Sequence, residues 1–149
     1  MARILVVDDN PDIRQIVAIC LEDAGHQVLM AGDGGRALEM MMTDHFEVVV
    51  LDIMMPVTDG YRVLQDMKTA GLRDHTKVLF LTARNSENDW AQGFRLGADA
   101  YVTKPFDNDE LVAAVSDLLI MSKAQLTTRR QAELDRAQLL SRLESVFDF

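Results

Sequence analysis

Residues 46–52 read FEVVVLD, and the chain continues IMMP to Pro56. Four consecutive aliphatic side chains leave no polar face, so a strand here must be covered on both sides, as in a parallel sheet flanked by helices. Yet the run ends on an acid, Asp52, at a depth where desolvation opposes the charge. Asp52 is therefore either an ordinary residue at a strand exit or part of a polar cavity at the sheet's edge.

The rest of the chain repeats this pattern. RILVVDD (3–9), HQVLMA (26–31), TKVLFLTA (76–83) and DAYVT (99–103) read as further strands. Between them, 11–25, 33–44, 58–71 and 86–97 carry apolar residues at helical spacing, and from Asp107 a helix begins with no evident stop. Pro11 suits a helix start; Gly25 and Gly71 suit helix ends; Asp33 suits an opening cap. Gly93 weakens the fourth helix, and the methionines at 40–42 fit a helix that is part core and part surface. Five strands alternating with five helices predict a doubly wound α/β domain with a parallel sheet. Right-handed crossovers then put every strand's C-terminal end on one edge, where such sheets bind ligands.

That edge collects Asp8 and Asp9 from the first strand, Asp52 from the third, Thr82 from the fourth and Lys104-Pro105 after the fifth. Singly, each has a plainer reading: a helix cap, a β-forming residue, a turn. Together, three carboxylates repel one another unless cations sit among them. Hard oxygen donors with room for retained water suit Mg²⁺, and a metal with Lys104 would keep Asp52 ionised.

Composition narrows the class. The chain of 149 residues carries net charge −9, which argues against direct binding to nucleic acid or an anionic membrane surface. The first 120 residues hold 20 acids against 10 bases, and the remainder 4 against 5. One cysteine, Cys20, excludes an internal disulfide, and its helical spacing among apolar residues reads as a buried thiol. With no signal-peptide pattern and no apolar stretch near the roughly 18 residues of a membrane span, the expected location is the cytoplasm.

The segments ILVVDDNPDIR, VVVLDIMMPVTDGY, VLFLTAR and GADAYVTKPF resemble the receiver domain of bacterial two-component response regulators, over about Arg3 to Leu119. The resemblance implies a flavodoxin-like sheet in the order 2-1-3-4-5. It implies that Asp52 is phosphorylated and also belongs to the Mg²⁺ site, that Asp9 ligates the ion with Asp8 acting through water, and that the Met54 carbonyl joins them. Thr82 would bond the phosphoryl group, Lys104 would pair with it, Tyr101 would be the aromatic switch, and Lys104-Pro105 would be cis. A histidine kinase or phosphotransfer protein would be the donor, making the protein a switch and not a metabolic enzyme. Output would pass through the face of the fourth helix, fifth strand and fifth helix, near Trp90, Phe94 and Tyr101. Met54 and Arg84 fall where this family tunes phosphate lifetime, and apolar bulk at Met54 with charge at Arg84 implies slow hydrolysis. A haloacid-type phosphotransferase would want a second acid two residues after its nucleophile, where Met54 stands.

Beyond residue 120 the helical pattern runs on, so the expected organisation is a receiver over 1–120 and a helical extension over 121–149. Leu126, Leu134, Ala137, Leu140, Leu143, Val146 and Phe147 form an imperfect apolar stripe. The extension reads as a solvated helix, as a helix that pairs with a second copy, or as a link to an output module such as a diguanylate cyclase. Homodimerisation through this helix or the output face follows as an expectation. About 29 residues cannot hold a helix-turn-helix module.

Overall fold

Apolar alternation decides the architecture, because each strand must feed two separate layers. The computed structural model describes residues 2–147. Strands β1 (Arg3–Val7), β2 (Gln27–Ala31), β3 (Val48–Leu51), β4 (Lys77–Thr82) and β5 (Ala100–Thr103) alternate with α1 (Pro11–Asp23), α2 (Gly34–Thr43), α3 (Gly60–Thr69), α4 (Glu87–Arg95) and α5 (Asn108–Ile120), and α6 (Lys123–Phe147) follows. All pairings are parallel, in the order β2-β1-β3-β4-β5. The expected flavodoxin-like, doubly wound sheet is the observed one.

Ile4, Val6, Val48, Val50, Leu79 and Leu81 pack on one face with Val17 and Leu21 of α1 and Leu111, Val115 and Leu118 of α5. Leu5, Val7, Val49, Leu51, Val78 and Phe80 pack on the other with Met41 of α2 and Val63, Leu64 and Met67 of α3. Cys20 belongs to the first layer, and burial raises its thiol pKa. Side chains of Asn10, Asp33, Asp59, Ser86 and Asp107 cap α1 to α5 in turn. Gly93 lets α4 lie close on the sheet, since a Cβ there would stand 3.2 Å from the rings of both Phe80 and Tyr101.

The uninterrupted helix expected from Asp107 onward is a correction. It breaks at Met121, whose ψ of 135° is extended, and α6 turns back to pack on α4. The break is built rather than accidental. Ser122 Oγ accepts from Gln125 N at 3.1 Å while Gln125 Oε1 accepts from Ser122 N at 2.8 Å, a reciprocal cap that starts a new helix. Lys77 Nζ donates to the Leu118 carbonyl and, at 2.9 Å, to that of Met121, closing the end of α5.

Leu126, 5% exposed, packs into the core layer under α5. Arg130 donates to the Ala98 carbonyl at 3.1 Å and to the buried carboxylate of Asp99 at 2.5 Å, which Arg73 also bonds at 3.0 Å. Leu134, Ala137 and Leu140 are half-buried, and Leu143 and Val146 are exposed. The side chain of Phe147, the last residue of that stripe, lies outside the described residues. Replacing Leu126 by Ala should cost about 2–3 kcal/mol, as a buried leucine in the main core does. Urea unfolding of the full chain measures this; an effect below about 0.5 kcal/mol, ordinary for surface positions, would show that α6 is not part of the folded unit.

Candidate phosphoacceptor site

The strand register builds the site directly. Val7 lies beside Leu51, and Thr82 beside Thr103. The next residue in each case extends the ladder: Asp52 N donates to the Val7 carbonyl at 3.0 Å and Lys104 N to that of Thr82 at 2.8 Å. Asp8, Asp52 and Lys104 are therefore placed by main-chain bonds, and their side chains emerge together at the sheet's edge.

Lys104 Nζ lies 2.7 Å from Asp8 Oδ2 and 3.0 Å from Asp52 Oδ2. Asp8 and Asp52 are 4% and 5% exposed, respectively, whereas Asp9 faces solvent. One carboxylate oxygen from each of Asp8, Asp9 and Asp52 fits within 4.8 Å of the others. Three carboxylates against one ammonium leave a surplus of negative charge. Such oxygen donors, partly open to water, fit a small hard divalent cation.

Other groups hold the acids in place. Asn10 N donates to Asp8 Oδ1 at 2.9 Å, and Met54 N to Asp52 Oδ1 at 3.0 Å. Arg14 Nη1 donates to the Asp8 carbonyl at 2.7 Å. Gly60 is needed behind Asp52, because a Cβ there would come within 2.4 Å of the Asp52 carbonyl oxygen. Asn10, Arg14 and Gly60 were not singled out as site residues from sequence. Asn10 precedes a proline at a helix start and Gly60 follows an Asp cap, but nothing local marks Arg14. The Lys104-Pro105 peptide is cis.

Thr82 is fully buried, and its Oγ1 accepts from Arg84 N at 3.4 Å. Tyr101 is half-buried and donates its hydroxyl to the Arg84 carbonyl at 2.8 Å, not to Thr82. Burial pushes the Tyr101 pKa well above the ordinary phenol range. Met54 is 53% exposed beside Asp52. Arg84 turns away to pair with Asp89 at 3.2 Å and to stack on Tyr61 at 5.9 Å. Trp90 packs edge-on against Phe94 at 5.4 Å, and Phe94 is itself core rather than surface.

Burial raises the Asp8 pKa above its ordinary 3.8, against the opposing pull of Lys104 and the Asn10 amide. Burial alone would lower Lys104, but the hydrogen bonds to Asp8 and Asp52 prevail and hold it above 10.5. A raised lysine pKa adds stability that is complete below the unfolded value and disappears as pH climbs through the folded value. A raised Asp pKa works against the fold as pH rises from 3.8 through the higher folded value. Lys104→Met should therefore cost about 3 kcal/mol near neutral pH, by stranding two buried carboxylates. The deficit should shrink both in acid, where Asp8 protonates, and above the Lys104 titration. Urea unfolding across pH measures it, and a pH-independent deficit would show that the ion pair is not its cause.

Comparison with known proteins agrees with this geometry. Residues 4–116 match the family model for the response regulator receiver domain. The transcriptional regulatory protein DltR of Streptococcus agalactiae is 42% identical over 113 residues, which are 76% of this chain and 50% of that protein. The response regulator Rre1 of Synechocystis is 37% identical over 145 residues, covering 97% of this chain and 59% of that one. The chain thus spans about half the length of the curated relatives it matches. Among solved structures, the chemotaxis protein CheY4 of Vibrio cholerae superposes with a TM-score of 0.76 at 34% identity, covering 80% of this chain and 99% of that one. TrrA of Thermotoga maritima, solved in complex with Mg²⁺-BeF, gives 0.71 at 34% identity, with 80% and 100% covered. With the matching order of strands and the clustered acids at their ends, this chain belongs to the response regulator receiver family.

Proposed function

We propose that Asp52 accepts a phosphoryl group from a phosphohistidine on a partner kinase or phosphotransfer protein, and that this chain signals through protein contacts. The observation that carries the reading is the bridge from Lys104 to both Asp8 and Asp52 beside the exposed Asp9. It is a pocket with fixed carboxylates, one ammonium and an opening to solvent.

The chemistry follows from charge. An oxygen of Asp52 forms a bond to phosphorus as the bond from phosphorus to the donor's imidazole nitrogen breaks, and the nitrogen keeps that electron pair. Both reacting groups are anionic, so neutralisation matters more than proton transfer. Lys104, already 3.0 Å from Asp52, stays beside the transferred group and meets charge on its oxygens. The buried Thr82 hydroxyl, tied only by a long bond to Arg84 N, is free to turn and donate to another of them. Met54 N fixes the Asp52 carboxylate against rotation. Asp8, Asp9 and the Met54 carbonyl would hold Mg²⁺, which supplies further charge neutralisation at the phosphoryl oxygens. The Mg²⁺-BeF complex of TrrA supports this metal assignment. The exposed Met54 side chain, beside the acceptor, screens it from water and favours slow hydrolysis.

A second reading concerns extent. Relatives of which the matched segment makes up about half carry names of transcriptional regulators, which supports a receiver acting on an output segment of a longer protein. Both readings share the same Asp52 chemistry and a cytoplasmic setting, and among the described residues no helix is long and apolar enough to cross a membrane.

Incubation with Mg²⁺ and acetyl phosphate should add one phosphoryl mass to the wild type and none to Asp52→Asn, read by intact-mass spectrometry. After donor removal the adduct should persist for minutes. Equal labelling of both proteins would overturn the assignment of Asp52, and loss within seconds would overturn the role given to Met54.

A further inference from the structure

The surface of α4 is covered by α6, whose Glu133 and Arg136 also face Tyr101 and Thr103 of β5 across a cavity. Its grip changes along its length. Near its start, Leu126 is in the core and Arg130 makes two bonds, to Ala98 and to the buried Asp99. Further along, Leu134, Ala137 and Leu140 are half-buried rather than in the core. Arg136 rests over Trp90 at 5.6 Å, and the buried Oε2 of Glu133 finds no hydrogen-bond partner among the described residues. Asn85, Ser86, Trp90, Tyr101, Glu133 and Arg136 surround a cavity of about 320 Å³ between the helix and the sheet. The beginning of α6 is an anchor; its continuation is only laid down.

The same cavity is connected to the acceptor site. Thr82 Oγ1 takes a bond from Arg84 N at the long distance of 3.4 Å, and the Arg84 carbonyl holds Tyr101 at 2.8 Å. Asn85 and Ser86 follow directly in the chain and form the cavity wall opposite Glu133 and Arg136. A hydroxyl drawn from Thr82 toward Asp52 gives up its bond to Arg84 N, loosening the loop that holds Tyr101 and faces α6.

We infer that the α4–β5 surface is a docking site whose resident occupant is the distal part of this chain's own α6, from Glu133 onward, and that filling the Asp52 site releases it. The inference rests on the phosphoacceptor reading above. Release exposes Trp90 and Tyr101 to a protein partner while Leu126 and Arg130 keep the helix attached. Coupling of this kind is reciprocal: what loosens α6 also favours occupation of the acceptor site, by the same factor.

Hydrogen exchange on the full chain, with and without Mg²⁺ and beryllofluoride, tests it. Amides of 133–146 should exchange at least about fivefold faster with the phosphoryl mimic present, while those of 123–130 stay unchanged. Arg136→Ala, which removes the contact on Trp90, should bind the mimic about twofold to fivefold more tightly. Protection at 52–54 and 82–84 with no faster exchange over 133–146 overturns the docking inference alone. No protection at 52–54 and 82–84 overturns the phosphoacceptor reading, and the docking inference falls with it.

Discussion

Lys104 bridges two carboxylates that the chain supplies from different strands, and the character of the site follows from that bridge. Asp8 follows β1 and Asp52 follows β3, adjacent strands whose ladder bonds leave no freedom to separate the acids. Two neighbouring carboxylates at 4% and 5% exposure are tolerable only with a cation between them. The ammonium comes from beyond β5, at the far edge of the sheet, so the whole β1-β3-β4-β5 order is needed to bring the three groups together. The fold and the arrangement of this site are in this sense one requirement.

The bridge also means that the proposed phosphoryl transfer needs no large motion of the acids. The acids outnumber the ammonium, so the pocket attracts further positive charge. Backbone amides of Asn10 and Met54 already hold one oxygen each of Asp8 and Asp52, which leaves little reorganisation for the reaction to supply. The flexible participant is Thr82, whose single long bond is easily exchanged.

Much of this was legible in the sequence because it depends on short-range pattern. The doubly apolar VVVL run required a covered parallel strand, and acids directly after apolar runs could only lie at the strand ends. Tertiary substitutions of one partner for another were not legible. Arg84 was expected to attend the phosphoryl group, but Asp89, one helical turn into α4, takes its guanidinium instead. Arg14 reaches back one turn of α1 to the Asp8 carbonyl, a contact set by helix geometry that no motif records. The break after α5 was partly legible: Ser122 and Gln125 stand at capping-box spacing, without the proline or glycine that usually announces a stop.

That break matters because it redirects a helix that would otherwise leave the domain. A continuous α5–α6 rod would carry Leu126 and Arg130 away from the core. Folding back places Arg130 on Asp99, a buried carboxylate that also bonds Val78 N and Arg73 and would be costly to leave half satisfied. Asp99 immediately precedes β5, two residues before Tyr101. The anchor of α6 thus sits at the start of the short strand that carries Tyr101, whose pairing to β4 ends at the Thr82–Thr103 pair. A helix secured at that point is anchored beside the strand that leads to Lys104, at the edge where Asp8 and Asp52 emerge.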